Sequence, residues 1–302
     1  MTNERLTVAV LGPGGVGGLL AALLARAGNR VICLAGEATA ETLDRTGIRI
    51  GSARFGEFTA RVETATELRE PVDAALITVK HTTLAASLDR LPAAHLTPDT
   101  LVVPFLNGVE HPAALRAHYG GAVPVAPAAI RVESTRVAPG VIEHGSPFAE
   151  VDLTGDDVTP GRLNSLAGAL EWSGVGTRVL PDETAVLWAK MSFLAPFALL
   201  TTRHGVPLGE IRTHHRDRLA ALVEETAAIS TAAGAPVDPA ETLRRYDAFP
   251  PATKSSMQRD AENGRPLELD AIGGALLRAA DRHGVPAPVA TEVVTELRAA
   301  GH

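Results

Sequence analysis

The first part of the chain alternates short apolar runs with segments of helical periodicity. An apolar run of four to seven residues bounded by polar residues or glycine predicts a buried strand. Such runs occur at Leu6–Leu11, Arg30–Leu34, Asp73–Val79 and Thr100–Phe105. Helical segments follow them, at Val16–Ala27, Ala38–Thr46 and Thr82–Leu91. Alternation of this kind predicts right-handed βαβ units and a Rossmann-type, doubly wound α/β domain.

More strands are predicted around this framework. Ile48–Val62 alternates polar and apolar positions between glycines, which indicates an edge hairpin. Pro139-Gly140 marks a second hairpin turn. Further strands are predicted at Val123–Ile130, Arg131–Arg136 and Val141–His144. Two more, at Glu150–Leu153 and Arg178–Leu180, are expected to extend the sheet.

From Pro181 onward the pattern is helical. We therefore predict a dinucleotide-binding domain over residues 1–180 and an all-α substrate and catalytic domain over residues 181–302. The first helix of this domain is expected to run from Asp182/Glu183 to about Thr202, with a kink at Pro196. Further helices are predicted at Arg216–Ala233, Pro239–Tyr246, Thr253–Glu262, Leu267–His283 and Val289–Ala299.

The first strand leads into a glycine turn of the form G-x-G-x-x-G. Gly12 permits a tight turn, Gly14 lets a pyrophosphate approach the backbone, and Gly17 lets the following helix pack close to the strand. The N–H groups and the positive dipole end of that helix would face the phosphates. The predicted cofactor contacts in the turn are Gly12, Pro13, Gly14, Gly15, Val16 and Gly17.

Three polar residues follow the predicted strands of the sheet. Ligands bind beyond the carboxyl ends of the strands in such a sheet. Glu37, 20 residues after Gly17, is placed either to bind the ribose 2′-hydroxyl of NAD or to lie in a solvated loop, and both interpretations stay open. Lys80 follows the Asp73–Val79 strand. Asn107 follows the Thr100–Phe105 strand, where its amide could bind a ligand or its backbone could form a turn.

Composition narrows the class of protein. The 302 residues carry a formal charge of −7, which argues against nucleic-acid binding. Cys33 is the only cysteine, so no internal disulfide forms, and the polar N-terminus has no signal-peptide pattern. No apolar run approaches the ~20 residues of a membrane span, so we expect a cytoplasmic protein. We also expect no metal site, since no histidines show metal-ligand spacing.

Taken together, the motifs resemble the ketopantoate reductase (2-dehydropantoate 2-reductase) family over nearly the whole chain. No single motif is specific, but their joint order is. They are GPGGVG at Gly12–Gly17, TVK at Thr78–Lys80, LNG at Leu106–Gly108, W-x-K at Trp188–Lys190, SSMxxD at Ser255–Asp260, R-P-x-E-x-D at Arg265–Asp270, G-x-L-L-x-x-A at Gly274–Ala280 and HGVPAP at His283–Pro288.

The resemblance implies reduction of a 2-keto acid by NADPH, and with it a place in pantothenate biosynthesis. Lys190 matches the catalytic lysine that protonates the developing alkoxide, and Glu268 matches the acid that orients it and also lies at the cofactor. Ser256 matches the serine that binds the substrate carboxylate. Lys80 and Asn107 match residues that contact cofactor and substrate. An ammonium beside a carboxylate suits this chemistry, because the ketone oxygen gains negative charge as hydride arrives.

Two departures from the family pattern bear on specificity. The family usually carries Asn four and eight residues after the catalytic lysine, where this chain has Leu194 and Ala198, so the substrate-binding surface there is apolar. An arginine for the 2′-phosphate is common after the second strand, where this chain has Ala35-Gly36-Glu37. Arg30 and Arg54 are candidate substitutes. NADP follows from the resemblance, whereas Glu37 favours NAD.

Two other functions stay open at this point. One is a related NAD-linked hydroxy-acid or secondary-alcohol dehydrogenase with a less polar substrate. The other is a dinucleotide-binding sensor that has lost catalysis. Retention of Lys190, Ser256 and Glu268 argues against a sensor. Apolar stripes on the helical domain would allow a homodimer.

Overall fold

A computed structural model describes residues 5–301, and they divide into two compact units. The first comprises the described chain as far as Leu106 together with His111–Glu183. The second comprises Asn107–Glu110 and the described chain from Thr184 onward. The short segment Asn107–Glu110 therefore folds with residues far from it in sequence.

The first unit contains strands and helices in alternation. Its strands are β1 (Thr7–Leu11), β2 (Arg30–Leu34), β3 (Ile48–Ser52), β4 (Phe58–Ala60), β5 (Glu63–Ala65), β6 (Ala74–Ile77), β7 (Leu101–Pro104), β8 (Ala128–Arg131), β9 (Ser134–Ala138), β10 (Val141–His144), β11 (Glu150–Leu153) and β12 (Gly176–Val179). Its helices are α1 (Gly15–Arg26), α2 (Glu37–Thr46), α3 (Leu84–Leu88), α4 (His111–His118) and α5 (Pro160–Trp172). Short 3₁₀ turns lie at His81–Thr83 and Ala93–His95.

The central sheet is parallel and has the order β5-β2-β1-β6-β7. Chain order reverses at β1, which pairs with β2 on one side and β6 on the other. The strands are buried on both faces, as the continuous apolar runs predict. The predicted Rossmann-type fold is confirmed, and the glycine turn follows β1 at the point where the strand order reverses.

The remaining strands form two further sheets, so β11 and β12, which correspond to the predicted strands Glu150–Leu153 and Arg178–Leu180, do not extend the central sheet. One has the order β4-β3-β10-β9 and contains both predicted hairpins, and the other has the order β12-β11-β8. Val125, which lies just before β8, makes one isolated parallel bridge to Val102 of β7 in the central sheet. The Val102 N–H donates to the Pro124 carbonyl and the Ala126 N–H donates to the Val102 carbonyl, so the nitrogens of Pro124 and of Pro104 in β7 face this ladder. Because proline has no N–H to donate, the ladder stops on both sides of the bridge.

The second unit is helical. Its helices are α6 (Glu183–His204), α7 (Leu208–His214), α8 (Arg216–Ala232), α9 (Pro239–Ala248), α10 (Ser256–Glu262), α11 (Ala275–His283) and α12 (Pro288–Ala299). Helix α6 continues through Pro196 without a break. The predicted helix over Leu267–His283 instead contains a π-helical turn, Asp270–Gly274, ahead of α11. Helices α4 and α7 lack a sequence prediction.

Helix α6 also corrects the expectation that no segment reaches the length of a membrane span. With 22 residues it is long and apolar enough to cross a bilayer. However, 67% of its most apolar stretch is buried inside the protein. Its buried side chains, among them Trp188, Met191 and Leu199, join the core of the second unit. Packing within the protein accounts for its apolar composition.

Candidate active site

The glycine turn is held by residues at the carboxyl ends of β2 and β6. Gly12 has φ +84°, and its N–H donates to the Leu34 carbonyl at 3.1 Å. The Thr78 hydroxyl donates to the carbonyls of Gly12 at 2.8 Å and Leu11 at 3.0 Å. A Cβ on Gly17 would overlap both the Thr78 hydroxyl and the Gly12 carbonyl. Gly17 therefore allows α1 to approach the strands, as predicted from the sequence.

The other positions of the turn differ in what surrounds them. A Cβ on Gly14 would meet only the Gly12 carbonyl, at 3.9 Å, so open space lies on this side. A Cβ on Gly15 would overlap the carbonyl of Ser134, whose hydroxyl donates to the Gly15 carbonyl at 2.8 Å. The first α-helical bond runs from Gly18 N–H to Gly14 O, which leaves the N–H groups of residues 15–17 without an intrahelical acceptor. These residues fit the pyrophosphate of a dinucleotide.

Glu37 and Lys80 lie beyond the carboxyl ends of β2 and β6. Gly36 occupies the N-cap position of α2, and Glu37 is the first residue of that helix and is exposed. Lys80 is exposed and precedes the 3₁₀ turn His81–Thr83, with its carbonyl accepting from Thr83 N–H. The structure thus places both side chains at the edge where the sequence predicts the cofactor, and their roles stay predictions.

Neither arginine suggested as a partner for a 2′-phosphate lies at that edge. Arg30 begins β2, at the opposite end of the strand, and its guanidinium pairs with Glu63 and Glu70 at 2.6 Å. Arg54 donates to the carbonyls of Pro147 at 3.0 Å and Gly174 at 3.2 Å. The structure gives neither candidate support, because both guanidinium groups are bonded elsewhere in the unit.

In the second unit the structure joins Asn107 to Glu268. The Asn107 side-chain amide donates to Oε2 of Glu268 at 2.9 Å. Glu268 is buried, with 7% of its surface exposed, and it lies just before the π-helical turn. Burial of a carboxylate is costly unless hydrogen bonds compensate it. The turn interpretation of the Asn-Gly pair is also satisfied, since Gly108 has φ +92°.

Close packing holds Asn107 against this turn. A Cβ on Gly108 would overlap the Ala271 carbonyl, so only glycine lets the segment approach the π-helical turn so closely. Two residues later, Glu110 accepts from Arg278 at 2.7 Å, and Arg278 also donates to Asp270 at 2.9 Å. Sequence reasoning found Asn107 and Glu268 but missed the charged residues that hold them together. Single-turn π segments are frequent at functional sites.

Lys190 lies on α6 and is half-buried. Its neighbours Leu187 and Met191 are buried, so the lysine emerges from an apolar surface. Leu194, one turn further, is half-buried, whereas Ala198 is only 1% exposed and belongs to the core. Of the two apolar replacements, Leu194 is thus the one with accessible surface.

The two serines before Met257 have different environments. Ser255 is the N-cap of α10: it is buried, accepts from Gln258 N–H at 3.0 Å and shares a 2.8 Å hydrogen bond with the Thr201 hydroxyl. Ser256 is the first helical residue and is exposed. The structural role therefore falls to Ser255, and the hydroxyl of Ser256 faces solvent.

Among residues 5–301 the structure contains no group of three His, Cys, Asp or Glu side chains placed to hold a metal ion. His214 ends α7 and lies 3.3 Å from Glu210, while His215 stacks on His204 with ring centroids 3.7 Å apart. The contacts of His214 and His215 are therefore with neighbouring helical residues.

Two family models match the chain. The model described as "Ketopantoate reductase PanE/ApbA" matches residues 8–153, and the model of its C-terminal domain matches residues 183–301. The chain belongs to the ketopantoate reductase family. It is thereby a member of a family of 2-dehydropantoate 2-reductase-like oxidoreductases that use a nicotinamide dinucleotide and act on small molecules.

Individual relatives agree with this assignment. The chain is 31% identical to the uncharacterized oxidoreductase YkpB of Bacillus subtilis, over 96% of this chain and 97% of the relative. The crystal structure of 2-dehydropantoate 2-reductase from Methylococcus capsulatus is 26% identical, with a TM-score of 0.89 and coverage of 98% and 97%. D-mandelate dehydrogenase, solved with NADH and anilino(oxo)acetate, shares the fold at 21% identity, with a TM-score of 0.87 and 97% coverage of both chains.

Proposed function

We propose that this ketopantoate reductase family member reduces a 2-keto acid to the 2-hydroxy acid with NAD(P)H. The observation that carries the proposal is the buried carboxylate of Glu268, held by the Asn107 amide at 2.9 Å, in a chain that also keeps Lys190. A protein that only binds a dinucleotide would have no need of a buried acid and of a lysine on an apolar helix.

Each residue of the proposed site has one task. The bound cofactor would supply hydride to the ketone carbon. Lys190 donates a proton to the ketone oxygen as that oxygen gains negative charge, so the product leaves as a neutral hydroxyl. Glu268 orients the lysine and stabilises its charged form, and Asn107 fixes the carboxylate that does this. Ser256 donates its exposed hydroxyl to the carboxylate of the keto acid.

The backbone turn Gly12–Gly17 holds the pyrophosphate, with Glu37 and Lys80 beyond the strand ends on either side of it. The open side of Gly14 and the free N–H groups of residues 15–17 support this part of the proposal. We propose NADP as the nicotinamide cofactor. NAD is the alternative, and Glu37 favours it.

Leu194 supports a finer proposal about the substrate. Its half-buried apolar side chain lies one helical turn from Lys190, where the family pattern would supply an amide. A site without that amide gives no partner to a substrate hydroxyl. We therefore propose a 2-keto acid with a less polar side chain than 2-dehydropantoate, which contains a hydroxyl. Recognition of an aromatic oxo acid by D-mandelate dehydrogenase, a protein of the same fold, is compatible with this.

The experiment that tests the activity combines turnover with cofactor binding. Oxidation of NAD(P)H is followed by absorbance against a panel of 2-keto acids, and cofactor affinity is measured separately by titration. Lys190→Met keeps the apolar stem and removes the charge, so turnover should fall by about 10²–10³-fold or more while cofactor affinity stays within a few-fold. Full turnover in this variant would remove Lys190 from the mechanism. Tight cofactor binding without reduction of any 2-keto acid would favour the sensor.

A further inference from the structure

The residues that directly follow β2 include no positively charged side chain that could bind a phosphate on the cofactor ribose. The chain leaves β2 through Ala35 and Gly36 before Glu37 begins α2. Glu37 is exposed and acidic, so it repels a phosphate on the ribose. Local sequence therefore supplies no cation at this edge, and the arginines considered from the sequence lie elsewhere.

A cation reaches the same place from a distant part of the chain. Arg90 follows helix α3, and its Nη1 donates to the Ala35 carbonyl at 3.1 Å and to the Thr66 carbonyl at 2.8 Å. These carbonyls lie just beyond the last residues of β2 and β5. Nη2 of Arg90 lies 3.9 Å from the position that a Cβ on Gly36 would occupy. The guanidinium thus occupies the space beside Gly36.

The charge of this guanidinium is not compensated by an acid. Arg90 is half-buried, and within residues 5–301 no carboxylate forms an ion pair with it. Its two hydrogen bonds to the described chain both come from Nη1. The Nε and Nη2 donors are therefore available to a ligand. Arg30, by contrast, is neutralised by Glu63 and Glu70. A fixed cation with spare donors is what a bound phosphate requires.

We propose that Arg90 binds the 2′-phosphate of NADP(H) and thereby lets the chain use NADPH despite Glu37. The inference rests on the proposed dinucleotide function and adds the residue that sets cofactor choice. Arg90 binds the phosphate through Nε and Nη2 while Nη1 stays on the strand-end carbonyls. Glu37 opposes this binding, so the balance between the two side chains sets the preference for NADPH over NADH.

Two small nucleotides isolate this contact from the rest of the cofactor. Adenosine 2′,5′-diphosphate and adenosine 5′-monophosphate differ only in the 2′-phosphate, and their affinities can be measured by calorimetry without any turnover. Arg90→Gln should weaken the diphosphate at least about tenfold and leave the monophosphate within about threefold, because a hydrogen bond to a charged group is lost. Glu37→Gln should shift the diphosphate in the opposite direction.

Arg54 provides a matched control. It also donates to two backbone carbonyls, those of Pro147 and Gly174, but in a different part of the same unit. Arg54→Gln should change neither affinity. If Arg90→Gln weakens both nucleotides equally, Arg90 only supports the loop and the proposal is overturned, and equal affinities in Arg90→Gln and the unchanged protein overturn it too.

Loss of the strand-end bonds could unfold Arg90→Gln, so two measurements avoid that variant. Arg90→Lys keeps a positive charge and should retain part of the selectivity for the 2′-phosphate. A crystal structure of the unchanged protein with adenosine 2′,5′-diphosphate should place the 2′-phosphate against Arg90, and binding of that phosphate by other residues alone would overturn the proposal. If the unchanged protein binds neither nucleotide, nor NADH, the dinucleotide function itself fails and this inference fails with it.

Discussion

The side-chain amide of Asn107 donates a 2.9 Å hydrogen bond to Glu268, a residue 161 positions further along the chain. The bond fixes one oxygen of a buried carboxylate and lies beside a π-helical turn. The amide therefore fixes the position of the carboxylate that is proposed to orient Lys190. The proposed proton donor thus depends on a residue that does not itself transfer a proton.

Replacing Asn107 should therefore affect turnover more than binding. Asn107→Ala removes a hydrogen bond to a charged group, worth about 1.5–3 kcal/mol, so kcat should fall roughly ten- to a hundredfold. Asn107→Asp replaces the donated hydrogen bond with repulsion between two carboxylates, so kcat should fall at least as far as in Asn107→Ala. Steady-state kinetics measure both effects.

Asn263 serves as a control for these variants. It is exposed, and its amide donates to the Arg259 carbonyl at the end of α10. Asn263→Ala should leave kcat unchanged. If kcat is also unchanged in both Asn107 variants, the Asn107–Glu268 bond does not influence turnover.

The glycine turn gives a paired prediction about Gly14 and Gly17. A Cβ at Gly17 overlaps the Thr78 hydroxyl and the Gly12 carbonyl, so Gly17→Ala should cost about 1–3 kcal/mol of unfolding free energy. Gly14 has φ −80° and open space around a new Cβ, so Gly14→Ala should keep or slightly raise Tm. Gly14→Ala should nevertheless weaken cofactor binding, because the methyl group occupies the side predicted to face the pyrophosphate. Thermal unfolding and cofactor titration together distinguish the two residues.

Substrate choice should respond to Leu194 and not to a similar leucine elsewhere. Leu194→Asn should raise kcat/KM for hydroxylated 2-keto acids relative to alkyl ones by about tenfold or more. Leu277, also half-buried but on α11, is the control, and Leu277→Asn should leave this ratio unchanged. Equal ratios in all three proteins would mean that Leu194 does not contact the substrate.

The stacked histidines His204 and His215 predict that the stability of the protein depends on pH. The pKa of His204 is lowered, first by burial and then by His215, Arg218 and Arg203. The unfolded chain, with a histidine pKa near ~6.5, takes up a proton before the folded protein does as pH falls. The stabilising contribution is therefore complete above pH ~6.5 and is lost as the pH falls through the folded pKa.

Tm should accordingly fall between pH 7.5 and pH 5, and His204→Phe, which preserves a stacked ring, should reduce that fall. His283→Gln, at an exposed position, is the control and should not alter it. The same slope of Tm against pH in His204→Phe and the unchanged protein would contradict the assignment.

How much the sequence predicts depends on how local the cause is. The turn Gly12–Gly17 and the four buried strands of the parallel sheet follow from nearby residues, and the structure agrees with them. The pairing between β7 and the segment around Val125 stops at Pro104 and Pro124, a detail that strand periodicity does not show. The contacts of Arg30 and Arg54 also depend on tertiary neighbours, which is why the sequence alone could not show that other groups occupy both guanidinium groups.

The candidate site shows the same limit. Asn107, Glu268 and Lys190 could be found because their residue types suit the chemistry and their motifs resemble a family. The charged pair Glu110–Arg278 and the guanidinium of Arg90 could not, since their partners are remote in sequence.

The membership of Asn107–Glu110 in the helical unit has a consequence for how the protein is made. During synthesis these four residues leave the ribosome long before Glu268 and Arg278, which follow 161 residues after Asn107 and 168 residues after Glu110. The helical unit therefore cannot complete its fold until most of the chain is translated, and closing so long a loop slows this step. A fragment beginning at Thr184 would lack Asn107 and Glu110, the partners of Glu268 and Arg278. If the chain is divided near residue 183, the helical fragment should therefore complete its fold only when the other fragment supplies Asn107–Glu110.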